Sequence, residues 1–195
     1  MTRMLGIDPG LTATGWGIVT REGTRLIHAD HGVIKTSPRQ SDPQRLKAIY
    51  DGLRQVIEQF QPDEAAIEDI FMKDNARSAL RLGLARGAAI LAVAQSELQL
   101  AEIAARAVKQ AVTGKGGADK NQVAFMVGQL LGIELKAGDA SDALGIAIAG
   151  LHGGGVALQA SAPQTGQQTP HQYQANPALA AAIEQALAKE QEQKK

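Results

Sequence analysis

The sequence predicts an α/β fold: a mixed five-stranded sheet flanked by helices on both faces. Three observations predict it. Short apolar runs alternate with longer segments of helical periodicity, the pattern of strands covered by helices. The first 35 residues hold three strand-like runs broken by turn residues. Hydrophobic residues make up 44% of the 195, mostly Ala, Ile, Leu and Val, which is enough to bury a core.

Residues 3–35 read as an antiparallel meander: Met4-Leu5-Gly6-Ile7, then Gly15-Trp16-Gly17-Ile18-Val19, then Leu26-Ile27-His28 through Val33-Ile34. Asp8-Pro9-Gly10 and Arg21-Glu22-Gly23 supply the turns between them. A helix follows over 42–60, with Asp42 as its cap, Pro43 opening it, and Leu46, Ile49, Tyr50, Leu53, Val56, Ile57 and Phe60 at helical spacing. A buried strand occupies 64–71. A long helix over 75–97 is rich in Ala and Leu, with Gly83 and Gly87 one turn apart. A strand over 98–104, a helix over 105–113, a Gly114-Lys115-Gly116-Gly117 loop, a helix over 118–132 and a last helix from about Asp139 complete the body. Beyond His152 the chain turns to Gly, Gln, Ser and Pro, a composition that buries little surface. The domain is therefore expected over 1–152, with a tail over 153–195: a linker over 153–176, then a short helix over 177–193 marked by Leu179, Ile183 and Leu187.

With no cysteine, disulfides, thiolate metal sites and a cysteine nucleophile are excluded. The N-terminus has no apolar run of signal-peptide length and no membrane segment is expected, so the cytoplasm is the expected compartment. Twenty basic residues balance twenty acidic ones. Their distribution is uneven: from Lys73 to Lys120 eight basic residues face four acids, which makes that region cationic.

Four carboxylates carry the chemistry. Asp8 ends the first strand, Glu68 lies in the fourth among Ala65, Ala66, Ile67, Ile70 and Phe71, and Asp139 and Asp142 are three apart at the start of the last helix. Each alone has a structural reading. Asp8 before Pro-Gly is a turn residue, Asp139 an N-cap with Ser141 as its rival, and Asp142 a first-turn acid favoured by the helix dipole. Glu68 is different, because a charge in an apolar strand needs compensation, and no basic residue adjoins any of the four in sequence. Brought together, they repel: two unit charges about 4 Å apart cost about 4 kcal/mol at an effective dielectric of 20. Oxygen-only ligands select Mg²⁺, with Mn²⁺ as a substitute, over zinc. A pair of such ions activates water and stabilises both oxygens of an in-line displacement, so phosphodiester hydrolysis is the natural reaction. No P-loop, GxGxxG or Ser-His-Asp pattern competes.

Such a site needs a grip on a polyanion. Lys73, Arg77 and Arg81 recur every four residues on one side of the long helix. Lys109 and Lys120 flank the glycine loop that carries Lys115 and are placed to reach a phosphate beside the metals. Phe71, at the end of a strand beside these bases, is either core or a residue that stacks on or wedges between bases. Trp16 is assigned to packing.

At this point the chain resembles the RuvC family of bacterial Holliday-junction resolvases. The stretches that carry the resemblance are Gly6-Ile7-Asp8-Pro9-Gly10 with Thr14-Gly15, Ala66-Ile67-Glu68, Phe71-Met72 with Asn75-Ala76 and Ser78-Ala79-Leu80, and Ala85-Arg86-Gly87. Val108-Lys109-Gln110, Lys120-Asn121-Gln122-Val123 and Asp139-Ala140-Ser141-Asp142-Ala143-Leu144 follow in family order, covering residues 3–151. The resemblance implies an RNase H-like fold and a homodimer that cuts a four-way junction symmetrically, leaving 5′-phosphates and 3′-hydroxyls. It further implies Mg²⁺ held by Asp8, Glu68, Asp139 and Asp142, catalytic or DNA-binding roles for Lys109 and Lys120, a role near the junction point for Phe71, and work alongside the branch-migration proteins RuvA and RuvB. A C2 dimer with one site per subunit suits a near-two-fold junction, and the helix bearing Gly83, Arg86 and Gly87 is the expected seam. Two other readings compete: an actin-like or RNase H-like phosphotransferase, for which the chain lacks a second phosphate loop, and a non-catalytic DNA-architecture protein.

Overall fold

A computed structural model describes residues 1–69 and 76–153 and the backbone of 156–158. Three antiparallel strands open the chain: β1 (Thr2–Asp8), β2 (Ala13–Glu22) and β3 (Arg25–Lys35). Helix α1 (Asp42–Phe60) leads to β4 (Glu64–Asp69), which lies parallel to β1. Helix α2 (Ala76–Ala94) leads to β5 (Gln99–Ala104), parallel to β4. Then come α3 (Ala105–Thr113), α4 (Lys120–Leu131) and α5 (Asp139–Leu151). The five expected strands are all present, and a sixth, β6 (Val156–Leu158), adds antiparallel to β5, giving the order β3-β2-β1-β4-β5-β6.

Strand β6 corrects the reading of 153–176 as unstructured linker. Three residues gain a ladder on the exposed edge of β5, a bonus that composition does not reveal. The expected helix over 177–193 lies outside the described residues, as do Phe71 and Lys73. Two caps also differ. Ser41, not Asp42, precedes α1, and Gln44 Oε1 accepts from the Ser41 amide at 3.0 Å. Gly138 precedes α5, where the Ser141 hydroxyl accepts from the Gly138 amide at 2.9 Å, so Asp139 is released from capping. Helix α2 stops at Ala94 rather than 97.

Strand parity builds two cores. Leu5, Ile7, Ile18 and Ile67 point to one face and pack with Ile49 and Leu53 of α1 and Ala85 and Ala89 of α2. Met4, Val19, Ala66 and Ile103 point to the other and pack with Val108, Val127, Leu144 and Ile148 of α3, α4 and α5. Adjacent residues of one strand thus serve opposite cores, which is why these strands read as continuous apolar runs. Trp16 packs as expected, with its ring 5.7 Å from that of Phe60.

Helix α5 lies hard against β1 and β2. A Cβ on Gly6 would overlap the Ala143 carbonyl oxygen, and one on Gly15 would overlap that of Asp139. Gly17 meets the Leu144 side chain in the same way. Replacing Gly6 by Ala is therefore expected to lower unfolding free energy by about 3 kcal/mol, the upper end for overpacking. An unchanged urea midpoint would show that α5 can shift outward freely.

Candidate active site

The parity that separates the cores also aims the acids. In β1, Met4 and Gly6 face α5, so Asp8 does too; in β4, Ala66 faces α5, and so does Glu68. The parallel register, with Ile7 opposite Ile67, sets the two carboxylates on neighbouring strand ends. Asp142 enters from the first turn of α5, which the glycines hold close.

Asp8, Glu68 and Asp142 line one open cavity of about 270 Å³ together with Lys109 and Lys120, over an apolar wall of Ala105, Val108, Val123 and Ile146. Asp139 is the first residue of α5 and its charge acts on Asp8, but its side chain is not part of the cavity wall. Among the described residues, no three acidic or imidazole side chains are arranged as a finished metal cage. The acids share a cavity instead of converging on one point, and the Lys120 ammonium donates to Asp142 Oδ2 at 3.0 Å.

That lysine is the compensating charge the local sequence lacks. It lies at the first position of α4, behind the Asp119 cap, whose carboxylate accepts from the Gln122 amide at 2.9 Å. The bond to Asp142 raises the Lys120 pKa above its ordinary value. Asp8 moves the other way in charge: burial, then the charges of Glu68, Asp142 and Asp139, push its carboxyl up to about 7, against a smaller pull from Lys120. Burial and Asp142 likewise raise Glu68, opposed by Lys120 and Lys109. Such crowding of acids is a mark of a functional site.

Of the remaining predicted residues, those the structure describes lie outside this cavity. Arg77 and Arg81 are exposed on α2. Lys115 is exposed in the turn between α3 and α4, a turn held by Thr113, whose hydroxyl accepts from the Lys115 amide at 3.1 Å. Arg86, expected at the seam, turns inward instead: its guanidinium pairs with Glu102 of β5 and its Nε reaches the Glu68 carbonyl at 3.5 Å. Sequence reading missed this role because Glu102 lies sixteen positions away on a strand of its own.

The model of the family described as Crossover junction endodeoxyribonuclease RuvC matches residues 4–150. The chain belongs to the RuvC family. The RuvC of Pelobacter propionicus is 52% identical over 151 residues, 77% of this chain and 86% of that protein. The RuvC of Vibrio cholerae is 52% identical over 149 residues, 76% of this chain and 86% of its own. The structure titled Thermus thermophilus RuvC in complex with Holliday junction substrate superposes with a TM-score of 0.75 at 31% identity, covering 81% of this chain and 100% of that one. The fold is RNase H-like, as the resemblance implied.

The raised carboxyls fix a pH dependence. The folded Asp8 binds a proton more tightly than the unfolded chain does, so without metal the stability falls as pH rises from about 4 to 7. Asp8→Asn is expected to raise the melting temperature of metal-free protein at pH 8 and to flatten this slope. A melting temperature lower than wild type at pH 8 would show that the Asp8 charge is not under repulsion.

Proposed function

We propose that Asp8, Glu68, Asp139 and Asp142 hold Mg²⁺, two ions per site with Mn²⁺ able to substitute, in a nuclease that resolves four-way DNA junctions by symmetric paired incisions. Endonucleolytic junction resolution is the activity of the family, and its nucleases are metal-dependent. The observation that carries the residue assignment is the single cavity lined by three acids and two lysines. The donor set fits a hard cation: carboxylate oxygens alone, on rigid strand ends and a helix start, under mutual repulsion that a divalent ion relieves.

When bound, the metal supplies Lewis-acid activation of the attacking water and of the scissile phosphate. The reaction adds water to phosphorus and breaks the P–O3′ bond, leaving a 5′-phosphate and a 3′-hydroxyl. Lys109 and Lys120 neutralise charge that grows on the phosphate oxygens. The wall of Ala105, Val108, Val123 and Ile146 excludes water and strengthens those interactions.

The DNA track runs through Phe71, Lys73, Arg77, Arg81 and Lys115. For a homodimer the support is on α2: Leu80, Leu84 and Leu91 are 66%, 39% and 53% exposed, and with Gly87 they fall on one face at spacings of four, three and four. No neighbouring atom lies within 4 Å of a Cβ built on Gly83 or Gly87, so close approach of a second helix is open there. The same reading puts the enzyme in the cytoplasm alongside RuvA and RuvB, with the nuclease domain reaching past 152 to include β6. No helix among the described residues is long and apolar enough to cross a membrane.

Asp8→Asn is expected to bind a synthetic junction as wild type does and to cut it slower by roughly 10²-fold or more. Cutting at the wild-type rate in Mg²⁺ removes Asp8 from the site. Junction affinity is expected to fall linearly with salt on logarithmic axes as phosphate contacts release counterions; a flat profile from gel shifts contradicts the basic track. Leu84→Glu is expected to sediment as a monomer and to lose coordinated double incision, and an intact dimer refutes the α2 seam.

A further inference from the structure

One buried ion has no part in the chemistry above. The core-facing stripe of α1 runs Arg45, Ile49, Leu53, Val56 and Ile57, so an arginine occupies the first place of an otherwise apolar row. Its side chain is only 7% exposed, and its nearest carboxylate, Asp42, stands 3.9 Å away. Burying a cation with so weak a counter-charge is unfavourable unless its donors are used.

They are used on one target. Arg45 Nε donates to Thr36 Oγ1 at 2.9 Å and Nη2 donates to Thr12 Oγ1 at 3.0 Å. The Thr36 hydroxyl passes the bond on to the Leu11 carbonyl at 2.5 Å, and the Thr36 amide donates to the Thr12 carbonyl at 3.0 Å. The Thr14 hydroxyl donates to the Gly10 carbonyl at 2.8 Å. Gly10, Leu11 and Thr12 are thus tied one after another, and they are the turn that follows Asp8.

The turn governs where Asp8 sits. Asp8 is paired with Gly15 of β2 but lies one residue past the register with β4, which ends at Ile7, while Glu68, Asp142 and Asp139 all repel its carboxylate. A planar guanidinium fixes two acceptors at set angles, which an apolar residue of the same volume does not.

We propose that Arg45, acting through Thr36 and Thr12, is a positioning residue that holds the turn after Asp8 and keeps that carboxylate in place for metal binding. This rests on Asp8 being a metal-binding carboxylate. Outer partners of metal ligands typically change metal affinity or activity by about 10–100-fold when removed.

The test compares Arg45→Lys, which keeps the charge and loses the fork, with Thr12→Val, which removes one acceptor from an exposed residue, and with Asp8→Asn. Mn²⁺ affinity is measured by calorimetry, single-turnover junction cutting across a Mg²⁺ titration, junction binding without metal, and melting temperature. Both positioning variants are expected to bind Mn²⁺ about 10-fold more weakly, to need correspondingly more Mg²⁺ for half-maximal cutting, and to bind junction unchanged. Recovery of the cutting rate at high Mg²⁺ is expected with them and not with Asp8→Asn. If Asp8→Asn loses Mn²⁺ binding while Thr12→Val keeps wild-type affinity and Mg²⁺ midpoint with only a lower melting temperature, Arg45 is merely structural and the proposal is overturned. If Asp8→Asn itself keeps wild-type Mn²⁺ affinity, the underlying assignment of Asp8 fails first, and the two failures are told apart. Should Arg45→Lys not fold, Thr12→Val decides the outcome alone.

Discussion

The contact between α5 and the first two strands is the constraint on which the site depends. Gly6 and Gly15 leave no side chain between sheet and helix, so α5 approaches until backbone meets backbone. Ala143 and Ala147 on the helix side are small and fully buried, which keeps the approach close along its length. That closeness brings the first turn of α5, with Asp139 and Asp142, to the strand end that carries Asp8. A larger residue at either glycine would lift the helix, and the carboxylates would part before any of them was changed.

Electrostatics set the opposite demand. The acids repel one another in a partly desolvated cavity, and the fold holds them by rigid elements rather than by attraction. Lys120 offsets part of the repulsion through Asp142, yet its side chain is 79% exposed, so water screens the pair. Holding like charges together in a partly desolvated cavity costs stability, and such crowding marks a functional site. On the other face of the sheet, the Arg86–Glu102 pair bridges α2 to β5 beneath the Glu68 backbone. A helix with an open apolar face on one side is therefore joined on its other to the strands that carry Glu68 and Glu102.

Much of this was legible. Short apolar runs bounded by turn residues marked the strands, and apolar stripes at helical spacing marked the helices of the body. The acids Asp8, Glu68, Asp139 and Asp142 stood out because they sit in or beside those runs. The bond from Lys120 to Asp142 did not, since twenty-two residues separate the partners and a lysine at a helix start has an ordinary surface role. Strand β6 was missed because three residues on a sheet edge take their order from the partner strand, not from their own composition. The inward turn of Arg86 was not legible beside the expected seam at Gly83 and Gly87, because its partner Glu102 lies on a strand of its own.

The sequence alone determined the five strands and five helices of the body to within a few residues, the four acids that break their pattern, and, through motifs in family order, the class of enzyme. Those properties are local or periodic, and the chain states them within a few residues. Only the tertiary structure decided that three of the acids and two lysines line one cavity, that Asp139 contributes its charge without lining that wall, and that a buried arginine ties down the turn after Asp8. Those facts depend on how closely distant segments pack, and packing distance is a property of whole surfaces in contact rather than of any one stretch of chain.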